Sequence, residues 1–113
     1  MPWIQNVPLS DVKLGHHYYV DHKTILISIV DPDMAHPEPL YNFNKVHQFK
    51  FLDIEHDDEC LDESWRFNKQ QAREIAKILT DALQSNTNIV VHCVAGICRS
   101  GAIAEVGVML GLS

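Results

Sequence analysis

The stretch Asn88-Ile89-Val90-Val91-His92-Cys93-Val94-Ala95-Gly96-Ile97-Cys98-Arg99-Ser100-Gly101-Ala102-Ile103-Ala104 decides how this chain is read. Its opening apolar run has the β-branched character of a buried strand, and its closing run of small residues leads out as a helix. Cys93 therefore stands at the end of a strand and Arg99, separated from it by five residues, at the start of a helix expected to run from about Ser100 to Leu110. Upstream, Ser85-Asn86-Thr87-Asn88 is a turn, and before it lies the clearest helix in the chain. Asn68 and Gln71 are spaced as a capping box, with Phe67 and Ala72 placed as a hydrophobic staple. Ile75, Ile78, Leu79, Ala82 and Leu83 fall on one helical stripe.

Further upstream, Thr24-Ile25-Leu26-Ile27-Ser28-Ile29-Val30 reads as a buried strand that ends at Asp31-Pro32-Asp33. Met34 to Leu40 holds Pro37 and Pro39 and reads as a loop. Val46 to Ile54 reads as another strand, with Phe49, Phe51 and Ile54 as its apolar members, and Glu55 to Trp65 as an acidic exposed loop. Strands alternating with helices imply an α/β fold, a mostly parallel central sheet flanked by helices. The loop at 93–99 then falls at the carboxyl end of a strand, where open α/β sheets bind ligands.

The 113 residues suffice for one domain spanning 1–113, with a modest core. No apolar run approaches the roughly 20 residues of a membrane span. The start, Met1-Pro2-Trp3-Ile4-Gln5, has neither the basic nor the apolar block of a signal peptide. Three cysteines with no Cys-x-x-Cys pair argue for reduced surroundings, and a cytoplasmic location is the expectation. Nine Lys and Arg against fifteen Asp and Glu give a net charge of −6, which disfavours a nucleic-acid partner. The histidines at 16, 17, 22, 36, 47 and 56 are scattered without metal-ligand spacing, so no metal and no organic cofactor is expected.

The physics of the loop points to anion chemistry. A strand-to-helix turn aims successive N–H groups at one point, and the helix N-terminus adds partial positive charge. Gly96 lets the loop wrap tightly. Arg99 offers a planar fork of donors for two phosphate oxygens. A thiol beneath such a cluster has its pKa lowered from about 8.5 to around 3.5–7.5, which makes Cys93 a candidate nucleophile at neutral pH. The Ser100 hydroxyl can hydrogen-bond its sulfur and help it leave.

Cys93 and Arg99 match the C-x5-R signature of cysteine-dependent protein phosphatases, and His92-Cys93-x-Ala95-Gly96-Ile97-x-Arg99-Ser100 resembles the dual-specificity group, in a small bacterial or phage form. Cys98 departs from the serine usual there. The order of parts also resembles that group, since a strand, an acidic loop and a long helix precede the cysteine. The resemblance implies a phosphatase-like fold and hydrolysis of phosphotyrosine, with phosphoserine and phosphothreonine as further substrates, through a phosphocysteine intermediate. It implies that Val94, Ala95, Gly96, Ile97, Cys98 and Arg99 hold the phosphoryl group, that Ser100 assists the thiolate, and that His92 orients the loop. Relatives continue with more helices beyond the one after the loop, whereas this chain stops at Ser113. A minimal or truncated domain follows as an expectation, with an apolar face of the last helix covered by another subunit in a homo-oligomer.

The resemblance also implies an aspartate that protonates the leaving oxygen and then activates water. Three residues compete. Asp53 fits a Phe-x-Asp-Ile pattern of small relatives, and Asp57 or Asp58 fits if the strand continues to about Glu55. Crowded like charges raise carboxylate pKa values toward those useful to an acid. Cys98, and more weakly Cys60, are candidates to trap an oxidised Cys93 as a disulfide. The uncharged residues between Cys93 and Arg99 disfavour polyphosphorylated lipids and RNA 5′-ends, leaving a phosphorylated protein or a small phosphoester as partner. The alternatives are a phosphate-binding module without turnover and a rhodanese-like sulfur transferase. The Ala95-Gly96-Ile97 core and the Arg99-Ser100 pair disfavour the latter.

Overall fold

Two runs without an exposed residue, Ile25–Val30 (β2) and Ile89–Cys93 (β4), form the middle of the sheet. Near-continuous apolar sequence is what a parallel strand covered on both faces requires. Ile4–Pro8 (β1) pairs with the far side of β4 and Lys45–Lys50 (β3) with the far side of β2, giving the order β1-β4-β2-β3 with every pairing parallel. Pro8, which has no N–H to donate, closes an edge strand where that loss is tolerated. The helices are Leu9–Leu14 (α1), Lys69–Ser85 (α2) and Arg99–Leu110 (α3). This computed structural model describes residues 2–14, 23–40, 42–51, 67–94 and 99–113.

The alternation of side chains along β2 and β4 divides the core in two. Ile25, Ile27, Ile29, Ile89, Val91 and Cys93 share a cluster with Ile75, Leu79 and Ala82 of α2 and Ile103 and Ala104 of α3. Leu26 and Val90 join Val7 and Val12 in a second cluster, against which Trp3 and Phe43 pack. Helices α2 and α3 thus cover one face. The other is covered by α1 and by the crossover from β2 to β3, residues 31–44. Among its described residues that crossover has no helix, although a helix is the usual way to join two parallel neighbours. Hydrogen bonds hold it instead: Leu40 N–H donates to the Val12 carbonyl (3.1 Å), and Asn44 N–H to the Thr24 carbonyl (2.9 Å).

Helix α2 begins as its sequence requires. The Asn68 side chain accepts from the Gln71 N–H at 2.8 Å, and the Gln71 side chain accepts from the Asn68 N–H at 3.0 Å. Ile75, Leu79 and Ala82 are buried, with Ile78 and Leu83 partly so. The helix ends at Asn86 in the left-handed region, φ 57°, a conformation asparagine tolerates. Helix α3 is apolar almost throughout. It buries Ile103, Ala104 and Gly107 while Val106, Val108 and Met109 stay exposed. A Cβ on Gly107 would stand 2.9 Å from Ile4 Cδ1, so glycine sets how closely α3 lies on β1.

The expected α/β layers are present, and every strand pairing among the described residues is parallel. Three boundaries moved. Strand β2 starts at Ile25 and not Thr24, β3 runs 45–50 and ends before Phe51, and α3 starts at Arg99. Leu52, Asp53 and Ile54, the last part of the expected third strand, lie outside the described residues, as does the acidic loop 55–65. Strand β1 and helix α1 carried no clear signal. Burial in β1 does not alternate, since its buried residues Ile4 and Val7 stand three apart, and the six residues of α1 are too few for a helical stripe to repeat. No helix among the described residues is long and apolar enough to cross a membrane.

Candidate active site

The register puts Pro8 opposite Cys93 and Ser28 opposite His92, so the cysteine lies at the carboxyl edge of the sheet between its two neighbours. Cys93 is a buried thiol, 2% exposed, on the face covered by α2 and α3. Ser100, in the first turn of α3 and fully buried, brings its Oγ to 3.2 Å from Cys93 Sγ. A hydroxyl at that distance can donate to a thiolate, and the N-terminus of α3 adds positive potential. Val94 is exposed, and its carbonyl accepts from the Leu9 N–H (3.3 Å), which ties the start of the loop to the start of α1.

Arg99 opens α3 and its side chain is 11% exposed. Its Nη1 donates to Asp31 Oδ1 at 2.6 Å and to the Phe51 carbonyl at 2.9 Å. Asp31 and Phe51 are the residues immediately after β2 and β3, so the guanidinium is fastened to the carboxyl ends of both strands. Nη1 has two hydrogens, and both are used. Nε–H and Nη2–H₂, which have no partner among the described residues, form the edge left for an oxyanion, a side-on bidentate geometry.

On the opposite face His92 is fully buried. Its Nδ1 lies 3.2 Å from the carbonyl oxygen of Cys93 and its Nε2 lies 2.6 Å from Ser28 Oγ. Ser28 Oγ in turn lies 2.8 Å from Nδ1 of His36, in the crossover. Burial pushes the His92 pKa down to about 4, aided by the charges of His36 and Arg99 and opposed by the bond to the Cys93 carbonyl. The ring is neutral at physiological pH. His36 is also pushed below its ordinary value, by burial and then by Lys50.

Of the residues read from the sequence, the fold brings Cys93, Val94, Arg99 and Ser100 together at one sheet edge. Ala95, Gly96, Ile97 and Cys98 lie outside the described residues, as do Asp53, Asp57, Asp58 and Cys60. Sequence reading gave Asp31 no part in holding Arg99, and it did not foresee the bonds that join Ser28 and His36 to His92. A carboxylate one residue beyond a buried strand, at the carboxyl edge where Cys93 also ends its strand, was the available signal for Asp31. Nothing in the sequence pairs Ser28 with His92, because that contact exists only once β2 and β4 are in register.

Fold and site together define a small α/β protein whose described strands form a four-stranded parallel sheet, carrying a buried thiol and an anchored guanidinium at its carboxyl edge. No family model matches the chain, and no curated protein matches it.

Proposed function

We propose that the protein is a cysteine-dependent phosphatase with a dual-specificity-like fold, hydrolysing phosphotyrosine and also phosphoserine and phosphothreonine in a phosphorylated protein or small phosphoester. The observation that carries this reading is the convergence at one strand end of Cys93 Sγ, Ser100 Oγ 3.2 Å away, and an Arg99 guanidinium whose Nη1 is anchored on Asp31 and the Phe51 carbonyl. In the first step the Cys93 thiolate attacks phosphorus, the ester P–O bond breaks, and an aspartic acid gives its proton to the departing oxygen. Arg99 and the loop amides bind the equatorial oxygens, whose charge grows in the transition state. In the second step the same carboxylate takes a proton from water. The water oxygen attacks phosphorus, the S–P bond breaks, and Ser100 stabilises the returning thiolate.

Asp53, Asp57 and Asp58 are the candidates for the acid. Asp53 follows Phe51, whose carbonyl holds Arg99, by two residues and has the shortest tether of the three. No step calls for a metal ion. The test is hydrolysis of p-nitrophenyl phosphate by the reduced protein with chelator present. Turnover that is abolished in both Cys93→Ser and Arg99→Ala is the expected result. Among Asp53→Asn, Asp57→Asn and Asp58→Asn, the acid is the one whose variant loses the basic limb of the pH–rate profile. Vanadate binding by a folded, reduced protein without turnover would replace this reading with that of a phosphate-binding module.

A further inference from the structure

We infer that Ser28 and His36 are positioning residues for the cysteine loop, acting through His92 as a one-way chain of hydrogen bonds that ends on the carbonyl of Cys93. The functional consequence rests on the phosphatase reading, while the chain itself does not.

Its direction follows from donor arithmetic. The Cys93 carbonyl can only accept, so His92 Nδ1, 3.2 Å away, carries a proton. A neutral ring carries one proton, so His92 Nε2 is a bare acceptor and the Ser28 hydroxyl, at 2.6 Å, donates to it. That hydroxyl has spent its only hydrogen, so His36 Nδ1, at 2.8 Å, donates to Ser28 Oγ. One proton assignment satisfies all three contacts with His92 neutral.

The chain crosses from the crossover 31–44 through the middle of β2 to the end of β4. Ser28 and His92 are both fully buried, so neither has water as an alternative partner. Among the described residues, the charged groups that bear on His92 are His36 and Arg99, and the one that bears on His36 is Lys50. Protonating His36 adds a hydrogen at Nε2 and leaves its Nδ1–H donor in place, so the chain survives a change in His36 charge. This gives the crossover a task. It brings the His36 side chain to the buried Ser28–His92 pair, and so fixes the peptide between Cys93 and Val94.

The experiment uses the full chain and two readouts that need no turnover. Nitrogen-detected NMR of the histidine rings should find His92 and His36 both protonated at Nδ1, with His92 at neutral pH lacking a hydrogen at Nε2. His92 protonated at Nε2, or His36 bare at Nδ1, would overturn the inference in the wild-type protein without recourse to variants. The second readout is the pH profile of Cys93 alkylation by iodoacetamide, followed by mass of the Cys93 peptide. Ser28→Ala and His36→Phe should raise the thiol pKa by roughly half a unit, which cuts the thiolate fraction at a given acidic pH about threefold. His36→Asn, whose amide N–H can stand where Nδ1–H stood, should restore the wild-type profile. Folded Ser28→Ala and His36→Phe proteins with unchanged profiles would show that these residues only fill space. Altered alkylation in a protein that never hydrolyses an aryl phosphate would uphold the chain and reject the phosphatase reading. The converse pair of results would do the opposite.

Discussion

Arg99 shows how much one ion pair settles. Its guanidinium could point many ways, and a long side chain gives up rotamer entropy when it is held. Asp31 and the Phe51 carbonyl hold it through a single nitrogen, and that nitrogen faces away from the edge left for a ligand. Asp31 has a cost as well, because its negative charge lies beside the proposed anion site. Two substitutions separate these effects. Asp31→Asn keeps an acceptor for Nη1 and removes the charge, and the expected outcome is phosphate affinity at least equal to wild type. Asp31→Ala removes charge and anchor together, and should bind phosphate about tenfold more weakly than Asp31→Asn, a difference of about 1.4 kcal/mol. Calorimetric titration with phosphate at constant ionic strength measures both. Equal affinity in the two variants would show that the anchor contributes nothing.

At the scale of elements, α2 is closed at its start by a local device legible in its sequence. The reciprocal bonds of Asn68 and Gln71 satisfy two N–H groups that the first turn of α2 otherwise leaves without helical partners. Asn68 is exposed, so its contribution is the cap itself and not burial. Asn68→Ala should therefore lower unfolding free energy by about 1 kcal/mol, while Asn68→Ser, which keeps a capping oxygen, should lose much less. Urea unfolding followed by circular dichroism decides between them. The elements that escaped sequence reading were α1 and β1. Helix α1 has only six residues, of which Val12 alone is buried, and β1 gains its identity from pairing with β4. Its backbone is further fixed by the chain's other end: Ser113 N–H donates to the Pro2 carbonyl, and the Ser113 carbonyl accepts from Ile4 N–H.

Over the whole molecule, the buried imidazole makes folding depend on pH. His92 titrates near 4 in the folded state and near 6.5 when unfolded. Between these values the unfolded chain binds more protons, so stability falls as pH falls. The loss begins below about 6.5, reaches about 2 kcal/mol at pH 5, and is complete at roughly 3 kcal/mol below pH 4. His36 and His47 are shifted in the same direction and add to the slope, His47 through burial and then Lys45. Against a total stability of about 5–15 kcal/mol this is a large share. Urea midpoints at pH 7 and pH 5 measure it, and His92→Gln should flatten the dependence; an equal slope in that variant would show that the acid loss arises elsewhere. The sequence by itself determined the layered class of the molecule, because unbroken apolar runs, a helical stripe and a capping box are local patterns with local causes. It determined the reach of the site too, since Cys93, Arg99 and Ser100 sit within one strand–loop–helix unit whose geometry the backbone sets. Only the tertiary structure decided that Asp31 and Phe51 grip Arg99 and that Ser28 joins His36 to His92. Those contacts join residues that are distant along the chain, and they form only when three parallel strands come into register and align their carboxyl ends.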